Sequence, residues 1–208
     1  MTEAALPTLI QQMLQPGFYP HPVTSIQLVQ THVSYILLTG DYAYKVKKPV
    51  NYGFLDFSTL DKREHFCHEE IRLNQRGAAD LYLEVLPITE TAGQFRLGGS
   101  AEAVEFTVRM EQFPAGTLFT DLFDQGKLTA ELLVRLAKEL VSFHKKGAIN
   151  DYIRSFGAVA QIRQAIDENY EQTAGYIGRS QTQPQFDETR QYTDRSRPAT
   201  GASWILRS

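Results

Sequence analysis

Apolar positions along the chain change period several times, and each change marks an element. Leu6, Leu9, Ile10, Met13 and Leu14 follow helical spacing within residues 3–14 and stop at Pro16-Gly17, which predicts a short leading helix. Pro20-His21-Pro22 breaks regular structure. Ile26 and Leu28, then Tyr35–Leu38, then Tyr42–Val46 predict three strands, with the Thr39-Gly40-Asp41 turn making the last two a meander. Ser58-Thr59-Leu60-Asp61 reads as a capping box opening a helix from about Thr59 to about Arg76, ended by Gly77. On that helix Phe66, Glu70 and Leu73 share a side with Cys67, Ile71 and Asn74, so Glu70 belongs to the apolar stripe and Glu69 does not. Tyr82–Pro87, Gln94–Leu97 and Val104–Met110 predict three more strands. After Pro114-Ala115-Gly116 the texture turns helical, with a Thr129-capped amphipathic helix to Gly147, including His144 as a core residue, and a second from Ser155 to Gly178.

From Gln181 to Thr200 the only large apolar residues are Phe186 and Tyr192, and the composition predicts a disordered tail. The 208 residues carry 21 Lys and Arg against 24 Asp and Glu, a formal net charge of −3, so no general basic field points to nucleic acid or to an anionic membrane. Cys67 is the single cysteine, which excludes an intrachain disulfide and makes a reducing cytoplasm the expected location. Neither a signal-peptide pattern nor an apolar run of membrane-spanning length occurs. His65 and His68 flank Cys67, but no second ligand cluster accompanies them, and an ordinary helix surface is the expectation.

The candidate chemistry lies in Ala43-Tyr44-Lys45. Alternation along a strand turns Ala43 and Lys45 to one face, so a small side chain leaves room for a planar base while an ammonium reaches phosphate oxygens. A carboxylate on the following helix, Glu70, is placed to hold that lysine. Strand lysine plus helix glutamate is the arrangement used by kinases to fix ATP phosphates. Lys47 shares the face of Lys45 and adds positive field there. Met110 to Leu118 reads as a stretch crossing between lobes, with Glu111 and Phe113 offering backbone groups to an adenine edge; a plain strand-to-helix loop is the alternative. Gln30-Thr31-His32-Val33-Ser34 contains no glycine. Thr31, His32 and Ser34 are candidate phosphate donors there, with an ordinary hairpin turn as the alternative.

The strings Leu38-Thr39-Gly40-Asp41-Tyr42-Ala43-Tyr44-Lys45-Val46-Lys47-Lys48-Pro49-Val50, Gly53-Phe54-Leu55-Asp56-Phe57-Ser58-Thr59-Leu60, Cys67-His68-Glu69-Glu70-Ile71-Arg72-Leu73-Asn74-Gln75-Arg76 and Val108-Arg109-Met110-Glu111 resemble the bacterial aminoglycoside-phosphotransferase-like proteins often fused ahead of a P-loop kinase domain. The resemblance covers residues 1 to about 190. It implies an α+β protein-kinase-like N-lobe with its leading helix over residues 1–113, the start of a helical C-lobe over 114–180 and a tail over 181–208. It also implies ATP as the nucleotide, with Mg2+ for the complete family domain, and a P-loop kinase domain as a partner in longer relatives.

The family's His-Gly-Asp catalytic loop is missing: the five histidines are His21, His32, His65, His68 and His144, and none precedes Gly-Asp. Asp56-Phe57 precedes the Glu70 helix and is followed by Ser58, so it reads as the helix lead-in rather than a metal-binding Asp-Phe-Gly. The expectations are therefore an ATP-binding phosphotransferase domain that is catalytically incomplete, a non-enzymatic nucleotide-binding module, or a truncated product. No catalytic and no metal-binding residue is assigned. A premature end, for instance by frameshift, is the expected reason for the missing loop, and uncovered helix faces are expected to drive self-association.

Overall fold

A computed structural model describes residues 5–195 as two compact units, Met1–Phe143 and His144–Ser208. The architecture is mixed α+β. In the first unit β1 (Gln27–Gln30), β2 (Ser34–Leu38), β3 (Tyr42–Lys47), β4 (Tyr82–Thr91), β5 (Gln94–Leu97) and β6 (Ala103–Glu111) form one antiparallel sheet in the order β1-β2-β3-β6-β4-β5. Helix α1 (Thr8–Met13) and a single 3-10 turn (Pro16–Phe18) pack on one face, and α2 (Leu60–Ala78) packs on the other.

Strand alternation divides the hydrophobic residues between these faces. Leu37, Tyr44, Val46 and Ile88 meet Ile10, Met13 and Tyr19 on the α1 side. Phe106 and Val108 meet Cys67 on the α2 side, with Ile71, Val85 and Met110 around them. The leading helix begins at Thr8 rather than residue 3, because Pro7 fixes the backbone just before it; residues 3 and 4 lie outside the described residues. Pro87 does not end β4. Its carbonyl accepts from Gly98 N–H and β5 pairs only from Thr89 onward, so its missing N–H falls on a side with no ladder bond to lose.

Helix α2 starts one residue later than the capping box predicts. Thr59 Oγ1 accepts from Lys62 N–H, while Ser58 donates both its N–H (2.9 Å) and its hydroxyl (2.6 Å) to Asp56 Oδ1. Gly77 does not terminate the helix either; Phe143 packs over it, 3.4 Å from where a β-carbon would be, so the glycine makes room for a neighbour. Leu73, placed on the buried stripe by its spacing, is 45% exposed.

Three ion pairs, made by Arg63 and Glu70 of α2, dock the helix on the sheet. Arg63 Nε lies 2.8 Å from both Glu105 oxygens and Arg63 Nη1 donates to the Phe57 carbonyl at 3.0 Å. The two pairs made by Glu70 are described below. Arg63, Cys67 and Glu70 follow i, i+4, i+7 and so form one stripe, with Cys67 fully buried between the two charged residues.

The first unit continues through α3 (Phe119–Asp124), not foreseen from the sequence, to α4 (Ala130–Lys145), in which the division falls. Thr129 Oγ1 accepts from Leu132 N–H, as its position predicts. His144 is exposed, not part of a core. In the second unit the helix expected from Ser155 to Gly178 is the shorter α6 (Val159–Ala174), preceded by a separate short helix, α5 (Asp151–Ser155).

The disordered tail expected from residue 181 is corrected for residues 183–195, which form α7 (Gln183–Arg195). Thr182 Oγ1 accepts from Gln185 N–H while Gln185 Oε1 accepts from Thr182 N–H, a reciprocal cap. Phe186 is buried edge-on against Tyr170, whose hydroxyl pairs with Thr193. Residues 196–208 of that tail lie outside the described residues.

Truncating one member of a buried ion pair strands the other. Arg63→Ala is expected to lower unfolding free energy by about 3 kcal/mol or more in a urea titration, because Glu105 remains buried without its guanidinium. A loss under about 1 kcal/mol would mean that α2 is held by its apolar contacts alone.

Candidate functional site

Residues at alternate positions of β3 project toward α2. Ala43 opposes Met110 and Leu38, Lys45 opposes Val108 and Ile36, and Lys47 opposes Ser34. Glu70 comes down from α2 between the two lysines. Lys45 Nζ donates to Glu70 Oε1 and Lys47 Nζ to Glu70 Oε2, each at 2.6 Å. The lysines differ in access: the Lys45 side chain is 26% exposed, the Lys47 side chain 5%. Glu69 instead forms an exposed pair with Arg72.

Burial pushes the Glu70 carboxyl up, and hydrogen bonds and charge from Lys45 and Lys47 outweigh it, holding the group below its ordinary value. The triad thus contains two ammoniums and one carboxylate and keeps one net positive charge. Each ammonium has three donors. Lys47 is enclosed, and its ammonium also lies 4.9 Å from the centre of the Phe57 ring. Lys45 is the member with access to a solute anion.

Ala43 is buried beside this group at 5% exposure. Ser34 is also buried, and its hydroxyl has no hydrogen-bond partner among the described residues. The adjoining β1–β2 turn is closed on itself. Thr31 N–H donates to the Ser34 carbonyl, and Thr31 Oγ1 accepts from the N–H groups of Ser34 (2.9 Å) and Val33 (3.3 Å). The N–H groups of Thr31, Val33 and Ser34 are therefore committed within the turn.

Of the two residues expected to meet an adenine edge, Glu111 ends β6 and donates its N–H to the Leu81 carbonyl at 2.9 Å. Phe113 lies two residues on, 51% exposed, at the start of an irregular segment. The exit from β6 is stitched to the β2–β3 turn: Gln112 N–H donates to Asp41 O, and Gln112 Oε1 accepts from Gly40 N–H. Glu111 lies three positions along β6 from Val108, the partner of Lys45, a separation of about 10 Å at the ordinary strand rise.

Sequence reasoning paired Lys45 with Glu70 but treated Lys47 only as added field, and it missed the Arg63–Glu105 pair. The signal for Arg63 was its place seven residues before Glu70 on the same stripe. His65 and His68 are exposed while Cys67 is buried, so the three do not converge. Burial, with smaller electrostatic contributions, pushes the Cys67 thiol up to about 12. Among the described residues no group of three His, Cys, Asp or Glu side chains is gathered for a metal ion. Asp56 behaves as a helix lead-in, its carboxyl held down to about 2 by hydrogen bonds from Lys62 and Ser58.

No family model matches the chain. Over 152 residues, 72% of its length, it is 33% identical to an uncharacterized protein of Mycobacterium bovis and to uncharacterized proteins of two Mycobacterium tuberculosis strains. The aligned stretch covers 29% of each of these relatives, so the chain corresponds to under a third of their length.

A carboxylate held below its ordinary value stabilises the fold above that value, and the contribution is lost as pH falls through the folded-state value. The urea midpoint of the wild-type chain should therefore drop between about pH 5 and pH 3 by more than that of Glu70→Gln, which should start lower at neutral pH. Parallel profiles for the two proteins would show that Glu70 is not linked to folding.

Proposed function

We propose that the first unit binds the phosphate tail of ATP, in the manner of an aminoglycoside-phosphotransferase-like N-lobe, and that residues 1–208 bind nucleotide without themselves carrying the transfer chemistry. The observation that carries this reading is the unequal sharing of Glu70. Lys47, enclosed, satisfies one oxygen and fixes the carboxylate in advance, while the more accessible Lys45 uses the other oxygen and retains donors for an anion.

In this reading Lys45 is the phosphate contact, Glu70 its positioning partner, and Ala43 the small residue beside the base. Adenine would lie toward the end of β6, where Glu111 and Phe113 supply the remaining backbone groups. The described residues gather no ligand set for Mg2+, so no step is assigned to a metal here. Phosphoryl transfer also needs a group to accept or orient a proton on the nucleophile. His-Gly-Asp, which would supply it in the resembled family, does not occur in the chain. That absence favours a second reading, a nucleotide-binding module with a regulatory role.

Calorimetric titration with ATP tests the binding. Lys45→Ala and Glu70→Ala are each expected to weaken it about tenfold, the double variant no further, and Glu69→Ala less than about twofold. Fully additive losses, or a dominant effect of Glu69, would contradict the shared-carboxylate account. Acceptor-dependent release of ADP by the wild-type chain, above a Lys45→Ala control, would contradict the assignment of binding without transfer.

A further inference from the structure

Lys47 and Lys48 are adjacent in sequence, and strand alternation turns them to opposite faces of the sheet. Lys47 meets Glu70 beneath α2. Lys48 lies over the Tyr35 ring, its ammonium 4.5 Å from the ring centre, and reaches the β1–β2 turn. Its Nζ donates to the Thr31 carbonyl at 2.8 Å and to Gln30 Oε1 at 3.3 Å, while its backbone N–H donates to the Val33 carbonyl at 2.8 Å. A further contact runs from the Tyr52 hydroxyl to the His32 carbonyl at 3.5 Å. The carbonyls of Thr31, His32 and Val33 are thus all tied to the segment that follows β3.

That turn ends at Ser34, directly opposite Lys47 and on the face that carries Glu70 and Lys45. With no glycine, no residue of positive φ and the N–H groups of Thr31, Val33 and Ser34 engaged internally, it is built to hold one shape. We propose that Lys48 is a positioning residue of the phosphate site: it braces the β1–β2 turn from the opposite face of the sheet, so that the turn stands as a fixed wall beside Lys45 and the terminal phosphates of a nucleoside triphosphate.

The inference rests on the ATP reading above, and its test separates the two. Lys48→Met keeps the aliphatic stem over Tyr35 and removes the ammonium; Lys48→Arg restores a cation able to donate to the same carbonyls. Amide hydrogen exchange at Thr31, Val33 and Ser34 is expected to quicken about tenfold in Lys48→Met, with β3 and α2 unchanged, and to return toward wild type in Lys48→Arg. In parallel, ATP affinity should fall about fivefold or more in Lys48→Met while AMP affinity stays within about twofold, because only the triphosphate extends to the turn. A merely structural role would weaken both nucleotides alike. Unchanged exchange overturns the brace, and equal losses for ATP and AMP overturn the positioning role. If the wild-type chain binds neither nucleotide, the ATP reading and the positioning role both fall, and the exchange result still decides whether Lys48 braces the turn.

Discussion

Glu70 remains ionised under α2 only because two ammonium groups meet it there. Removing a carboxylate from water costs several kcal/mol unless opposite charge and hydrogen bonds replace the lost hydration. Both oxygens here have a lysine donor at 2.6 Å, and Glu70 and the two lysines come from different elements. The helix therefore docks on β3 in a register that brings residue 70 between residues 45 and 47. Arg63 with Glu105 repeats the constraint two turns earlier on β6, and Cys67 fills the dry space between. With charge at both ends and a thiol in the middle, sliding the helix by one turn would strand two carboxylates at once.

β3 and the residue that follows it supply three lysines with three tasks. Lys47 is buried and completes Glu70; Lys45 is more open and keeps donors in reserve; Lys48, on the other face, ties down the neighbouring turn. A glycine-rich phosphate loop works through backbone N–H groups that point at the anion. Here Thr31 Oγ1 accepts two of the turn's N–H groups, so in the proposed reading the phosphate contacts fall mainly to side chains.

Much of this was legible because it depends on short-range periodicity. A period of two in Ala43-Tyr44-Lys45-Val46-Lys47 sets the face of β3, and the three-and-four spacing from Phe66 to Ile71 chooses Glu70 over Glu69. What escaped lies outside such patterns. Arg63 and Glu105 are 42 residues apart and announce their pairing only once helix and strand are docked. Gly77 looks like a stop signal, yet it is a packing surface for Phe143. Helix α7 has few apolar residues and is anchored by Phe186, a Tyr170–Thr193 hydrogen bond and Arg163 with Asp194. Its one local sign was Thr182-x-x-Gln185, the reciprocal cap hidden in polar text.

In the proposed reading one carboxylate divides two lysines into a structural and a ligand-facing member, and the ammonium groups themselves report on it. Nitrogen-15 NMR of the lysine side chains during an ATP titration follows Lys45 and Lys47 separately, once each is assigned by its Lys→Arg variant. The Lys45 signal is expected to shift with saturation by ATP while the Lys47 signal, held at 5% exposure against Glu70, stays in place. A titration that moves Lys47 and leaves Lys45 still, or moves neither, would contradict it.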